Sequence, residues 1–282
     1  MLSSLCFGIA LVTARVGLRL LDARSGAAIS IPTATLLFVI ASPFAFDIDA
    51  FDLRAAFLFA AVGLFFPAIV TLLTFRSNEL LGPTVTSAVS GTAPLFALVA
   101  AALFLGERVP AQAAVSAVGV VVGVALLSWK KSPVRNVFVG WSLLWPIAGA
   151  VLRGLAQVGA KAGLLLWASP FAASLIGYVV SSTTVVSADR FRQSAKQKLT
   201  GTGIAWFAGT GILNGSAVLL MYAALSVAPV WVVAPVVASY PLITAAVSAA
   251  VLHDEKLSLR AAAGATITVG AIAYLVSSHG SA

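Results

Sequence analysis

Residues 7–18 read Phe-Gly-Ile-Ala-Leu-Val-Thr-Ala-Arg-Val-Gly-Leu, and residues 153–164 read Arg-Gly-Leu-Ala-Gln-Val-Gly-Ala-Lys-Ala-Gly-Leu. Six of the twelve positions are identical, and Arg15 stands opposite Lys161. In a sequence this apolar one such match can arise by chance, so its weight depends on a second anchor at the same distance. Pro94-Leu95 runs on to Gly106-Glu107-Arg108-Val109, and Pro241-Leu242 runs on to Asp254-Glu255-Lys256-Leu257. Arg15 precedes Pro94 by 79 residues and Lys161 precedes Pro241 by 80. The two halves therefore correspond along their length.

Composition says what each half builds. Of 282 residues, 60% are hydrophobic and 9% charged, with mean hydropathy +1.05. A soluble domain carries roughly 25% charged residues. So few charges cannot coat a 28.8 kDa globule, which excludes a soluble enzyme and leaves a multi-pass membrane protein. A helix crossing a ~30 Å hydrocarbon core needs about 20 apolar residues. Charges and turn formers divide the chain into ten such stretches, near 3–21, 27–46, 54–75, 83–105, 110–129, 137–165, 168–188, 202–225, 229–252 and 258–277. The runs are continuous rather than alternating over ~10 residues, so a transmembrane barrel is excluded. The expected fold is all-α: ten transmembrane helices in two five-helix repeats, residues 1–132 and 137–278. Five is odd, so the second repeat enters the membrane inverted. Inverted repeats mark secondary transporters, with a substrate site near the midplane between the halves and access that alternates.

Other chemistry is thinly represented. Cys6 is alone and His253 and His279 sit near helix ends, so no disulfide, metal site or cofactor is expected. No Gly-rich phosphate loop is present, which argues against an ATP-driven pump. The segment Leu2 to Leu21 lacks a basic leader and has an internal counterpart, so it reads as a span, not a signal peptide. The expected partners are the bilayer and a small-molecule substrate, with no nucleic acid.

Arg153 is the sharpest candidate for function. With the sixth span starting near Gly140, it lies about 20 Å into the helix. A guanidinium at that depth costs roughly 2.5–3.5 kcal/mol on insertion scales and is expected to face a cavity or a partner. The alternative is a side chain that snorkels to the headgroups. Trp145, Gly149, Arg153, Gln157 and Lys161 follow at i+4 spacing, a polar helix face that would suit an anionic substrate. Arg15 and Lys161 fall late in their spans, where an interfacial anchor or a paired role across the cavity are both open. Asn214 and Tyr222 share a face of the eighth span and Ser239-Tyr240 precede Pro241, completing the candidate cavity wall. Pro94 and Pro241 each remove a helical hydrogen bond at matching positions and are candidate hinges. Glu107 and Glu255 sit beside Arg108 and Lys256 and read as local ion pairs at the water interface. No carboxylate falls in mid-membrane, which weakens a simple proton-antiport scheme and a membrane-embedded enzyme alike. A non-transporting scaffold is the remaining alternative.

The pattern Pro94…Phe104-Leu105-Gly106-Glu107-Arg108 followed by Gly119 and Gly123 resembles the EamA-type repeat of the drug/metabolite transporter superfamily. Ser239-Tyr240-Pro241…Glu255-Lys256-Leu257 with Gly264 and Gly270 resembles the same module. The resemblance implies a ten-helix transporter with a central cavity, exporting amino acids or other small metabolites across a plasma or inner membrane. The chain departs from the pattern at Arg153, where a bulky apolar or aromatic residue is more usual.

Loop charges set the orientation. Twelve Lys and Arg fall in the loops after odd-numbered spans, against Arg54 and Arg108 on the other side. The positive-inside rule then places both termini outside the cytoplasm. The resemblance points the other way, to cytoplasmic termini.

Overall fold

The computed structural model describes residues 1–46, 51–128, 139–190, 199–251 and 259–279. Among these the chain is helical with no strand, as continuous apolar runs require. The helices are α1 (Leu2–Gly17), α2 (Ala23–Ala45), α3 (Leu53–Phe65), α4 (Ala68–Ser90), α5 (Ala93–Ala100), α6 (Ala111–Ser128), α7 (Val139–Ser142), α8 (Leu144–Leu166), α9 (Pro170–Arg190), α10 (Gly201–Val227), α11 (Val230–Val237), α12 (Tyr240–Val251) and α13 (Leu259–His279). A π-helical turn, Ala101–Leu105, extends α5. Five stretches are long and apolar enough to cross a membrane: Ala23–Ala45, Leu53–Leu105, Pro170–Ala188, Gly201–Val227 and Val230–Val251. Shorter apolar helices cover Leu2–Gly17, Ala111–Leu126 and Ala263–Leu275. Helix α8 falls outside both groups because it carries Arg153, Gln157 and Lys161.

The polar breaks act as caps. Asp22 accepts from the Ser25 N–H at 2.7 Å and Asp52 from the Ala55 N–H at 2.8 Å, each starting a helix by holding a free amide. The 53-residue stretch Leu53–Leu105 would reach about 80 Å if straight, far beyond one bilayer. It turns at Gly82, whose φ of 81° and ψ of 169° suit only glycine, and Pro83 starts the returning helix. The turn falls at the end of the break expected between residues 75 and 83, and the helix before it continues through Arg76 and Glu79. These pair with each other at 2.6 Å.

Both proline kinks are present and they match in detail. α4 stops at Ser90 and α5 begins at Ala93; α11 stops at Val237 and α12 begins at Tyr240. At each break a hydroxyl donates to the carbonyl three residues back, Thr92 to Val89 at 2.7 Å and Ser239 to Val236 at 2.8 Å. The next half-helix then opens with Leu95 N–H to Thr92 O and Leu242 N–H to Ser239 O, both 3.0 Å. Pro94 and Pro241 sit in the first turn of the new half-helix, where the missing N–H is no loss. A third break, at Phe66-Pro67 between α3 and α4, has no counterpart in the continuous helix α10.

The halves interlock so that exchanging them leaves the contact pattern unchanged. α1 packs on α10 and α12, and its counterpart α8 packs on α3, α4 and α5. α2 meets α9, and α6 meets α13. Glycines make the closest approaches. A Cβ on Gly8 would stand 2.9 Å from Tyr240 O and 2.7 Å from Ile243 Cβ; one on Gly154 would stand 3.0 Å from Ala93 O and 2.9 Å from Phe96 Cβ. These are the same contacts in the two repeats. Gly123 of α6 rests against Thr268 and Gly264 of α13, and Gly119 against Ala271, forming a small-residue seam, while Ala265 packs near Ala245.

Candidate functional site

A small chamber lies where α1, α4, α8, α9, α10 and α12 converge. It consists of two adjoining cavities of about 30 and 20 Å³ that share Phe7, Thr74, Phe75, Arg153 and Asn214. Phe66, Thr71 and Tyr178 complete one and Tyr240 the other. The Arg153 side chain does not snorkel, since only 8% of the residue is exposed. Its guanidinium carbon lies 5.1 Å from the Phe7 ring centre and 5.9 Å from those of Phe66 and Tyr240. Aromatic faces attract the cation, but they leave its N–H groups to be satisfied. Arg153 Nε has no hydrogen-bond partner, and neither have Tyr178 Oη and Gln157 Oε1. Buried polar atoms ordinarily find partners; of the unpartnered atoms, which also include side-chain atoms of Ser30, Asn78, Ser116, Trp167 and Ser248, those of Arg153 and Tyr178 belong to residues lining the chamber.

Position 7 and position 153 are equivalents in the two repeats, and their side chains touch each other. Arg153 therefore lies where the two matched segments of the chain meet. Asn214 of α10 stands at the equivalent of the Phe66-Pro67 break, which brings both to the chamber wall.

Arg15 and Lys161 lie outside the chamber and act alike. Arg15 Nη1 donates to the carbonyls of Asn78 (2.7 Å) and Glu79 (3.1 Å) near the end of the α4 run before Gly82. Lys161 Nζ donates to Leu225 (2.7 Å) and Ala228 (3.1 Å) at the end of α10. A cation on the first helix of each repeat thus holds the carboxyl end of the third, where unpaired carbonyls carry partial negative charge. Glu107 extends the second clasp. Both its carboxylate oxygens accept from the Val230 N–H at 3.1 Å, capping α11, and its charge acts on Lys161. This role differs from the ion pair with Arg108 read from the sequence. Glu255 lies outside the described residues.

The two ends of the bundle differ. At the end carrying Asp22, Arg76, Glu79 and Trp145, a vestibule of about 560 Å³ opens, with Ile69, Leu72 and Leu73 as its floor. Trp145 is 42% exposed there and does not reach the chamber. Thr71, Thr74 and Phe75, on the other face of the same helix, line the chamber. At the opposite end Phe46, Phe51 and Phe59 surround Trp167 with ring centres 5.4–6.3 Å apart. Of the remaining candidates, Ser239 is used by the α11–α12 break, and Tyr222 is buried close to Tyr178. Gln157 is buried one turn beyond Arg153. Tyr178, Thr71 and Thr74 were not singled out from sequence. The available signal was the scarcity of tyrosine, since three of four lie in this interior while Tyr274 is exposed.

The EamA-like transporter family matches the sequence twice, over residues 1–129 and 140–277. The chain therefore belongs to the EamA-like transporter family, a membrane transporter family within the drug/metabolite transporter superfamily. No curated protein matches it. A solved crystal structure is similar in fold, with a TM-score of 0.76 at 14% identity, covering 96% of this chain and 93% of that one. At that identity the likeness concerns the fold alone.

Proposed function

We propose that the chain is a ten-span secondary transporter of small metabolites, built as two inverted-topology repeats (residues 1–132 and 137–278) that give alternating access to the chamber around Arg153. Helix α1 ends at the vestibule and its equivalent α8 begins there, which supports the inversion. The observation that carries the function is a buried guanidinium, unpaired at Nε, where the two halves of a transporter-family bundle meet. The matched helix breaks at Pro94 and Pro241 serve as hinges beside it. The vestibule lies on the side of the Lys- and Arg-rich loops, which the positive-inside rule assigns to the cytoplasm, so substrate enters there and leaves the cell. In this reading both termini are outside the cytoplasm and the host membrane is a plasma or inner membrane.

Counter-flow in proteoliposomes tests the proposal, with lactate and other organic anions supplied inside and traced outside. The wild type exchanges a labelled anion and Arg153→Leu, equally expressed, does not. Unchanged kinetics in Arg153→Leu overturn the site. Failure of every metabolite class to exchange in folded protein favours a scaffold.

A further inference from the structure

We infer that the chamber selects net-anionic 2-hydroxy and 2-oxo carboxylates over α-amino acids of the same shape, with Arg153 as the selecting charge and Tyr178 as the second contact. The inference rests on the transport reading only for where the substrate goes; selectivity itself is a property of the binding site.

Charge decides the first part. Among the described residues no carboxylate lines the chamber. Asp22 and Glu79 face the vestibule, while Asp52 and Glu107 cap helices elsewhere. A carboxylate donated by the substrate is therefore the counter-charge that Arg153 lacks, and it pairs with the unpartnered Nε edge. An α-ammonium carried beside that carboxylate would sit next to the guanidinium, in an interior where like charges repel strongly. The aromatic rings of the chamber nearest to an ammonium, Phe7, Phe66 and Tyr240, are already turned to Arg153. A zwitterion gains one contact and meets one repulsion, whereas a monoanion gains the contact alone.

Hydrogen bonding decides the second part. Tyr178 is 2% exposed with its hydroxyl unpartnered, and Asn214 shares its cavity. Both are neutral, and both match a hydroxyl or oxo group adjacent to a carboxylate. The two cavities, about 30 and 20 Å³, hold roughly four waters at ~10–15 Å³ each. Lactate has six heavy atoms, so even a small aliphatic acid is held only as the chamber widens, and larger acids need more widening still.

The test is a thermal-shift titration of the purified full chain in detergent. The probes are lactate, alanine and alaninamide, then 2-hydroxy-3-methylbutanoate, valine and valinamide. Each hydroxy acid is expected to stabilise saturably, its amino acid to bind at least tenfold more weakly, and its amide not at all. Tyr178→Phe keeps the fold and weakens the hydroxy acid several-fold, and Arg153→Gln abolishes its effect. Alanine or valine binding as well as its hydroxy acid overturns the inference, as does the absence of any shift with all six. Counter-flow separates the two readings. Selective binding of lactate without exchange supports the selectivity and sinks the transporter. Exchange of alanine in preference to lactate keeps the transporter and sinks the selectivity.

Discussion

At the level of single residues, substitutions in the chamber and in the clasps are expected to affect different properties. Tyr178 carries a buried hydroxyl with no partner, and such a group costs about 1–3 kcal/mol of desolvation. Tyr178→Phe is therefore expected to hold or raise the melting temperature while weakening anion binding. A lowered melting temperature with unaltered binding would make the hydroxyl structural. Lys161 behaves in the opposite way. Its two bonds to Leu225 and Ala228 are charge-assisted, a kind worth roughly 1.5–3 kcal/mol each. Lys161→Met should lower the melting temperature by several degrees and Lys161→Arg should recover most of it. An equal loss in both variants would speak against the clasp. Arg153 was legible in the sequence because a charge deep in an apolar run has few explanations. The clasps were not, because nothing in a linear sequence shows which carbonyls a cation will meet. Trp145 was grouped with Arg153 by i+4 spacing. Four residues turn a helix through 400°, however, and successive steps rise about 6 Å. The ladder therefore winds from the vestibule at Trp145, past the chamber at Arg153, to the far clasp at Lys161.

Among the helices, the prolines and glycines carry the argument. Pro94 and Pro241 were readable as kinks from sequence, since proline cannot donate within a helix. The additional Thr92 and Ser239 bonds that finish each break needed coordinates. Restoring an N–H with Pro94→Ala or Pro241→Ala should favour a continuous helix. The expected result is a slower exchange rate in proteoliposomes at unchanged or higher melting temperature; an unaltered rate would remove the hinges. In α6, Gly123 lies against the Gly264 carbonyl, so no side chain fits without parting the helices. Overpacking of this kind costs typically 1–3 kcal/mol. Gly123→Leu should destabilise the protein by that order in a thermal or denaturant melt, and Gly209→Leu, where a Cβ meets nothing within 4 Å, should not. The small residues Gly119 and Gly123 on α6 are visible in the sequence. Their partner face on α13 is not, because spacing alone gives no rotational register between two helices.

For the whole molecule, repeat and composition were enough to expect an all-helical membrane bundle, and the family match agrees. What lay beyond sequence was the asymmetry of its ends: a vestibule at one and a cluster of aromatic rings around Trp167 at the other. Hydropathy is blind to such a difference, since both ends are built from equally apolar spans. The proposed inversion is checked by replacing Cys6 with alanine and placing single cysteines at Asp22 and Asp52. A membrane-impermeant maleimide should label the two from opposite sides, with Asp22 reached from the cytoplasm. Labelling of both from one side would defeat the topology, and a fusion after Ala282 that reads cytoplasmic would reverse its direction.

The meeting of Phe7 with Arg153 also bears on how such a chain can have come to exist. Were the bundle assembled from two identical half-length subunits, the same residue would face its own copy across the axis. Two guanidinium groups at about 5 Å would repel, and two phenylalanines would leave no charge to hold an anion. Only when the two halves differ in sequence, as they do within this chain, can one side be aromatic and the other cationic. A lone charge at this point is thus inaccessible to a homodimeric ancestor.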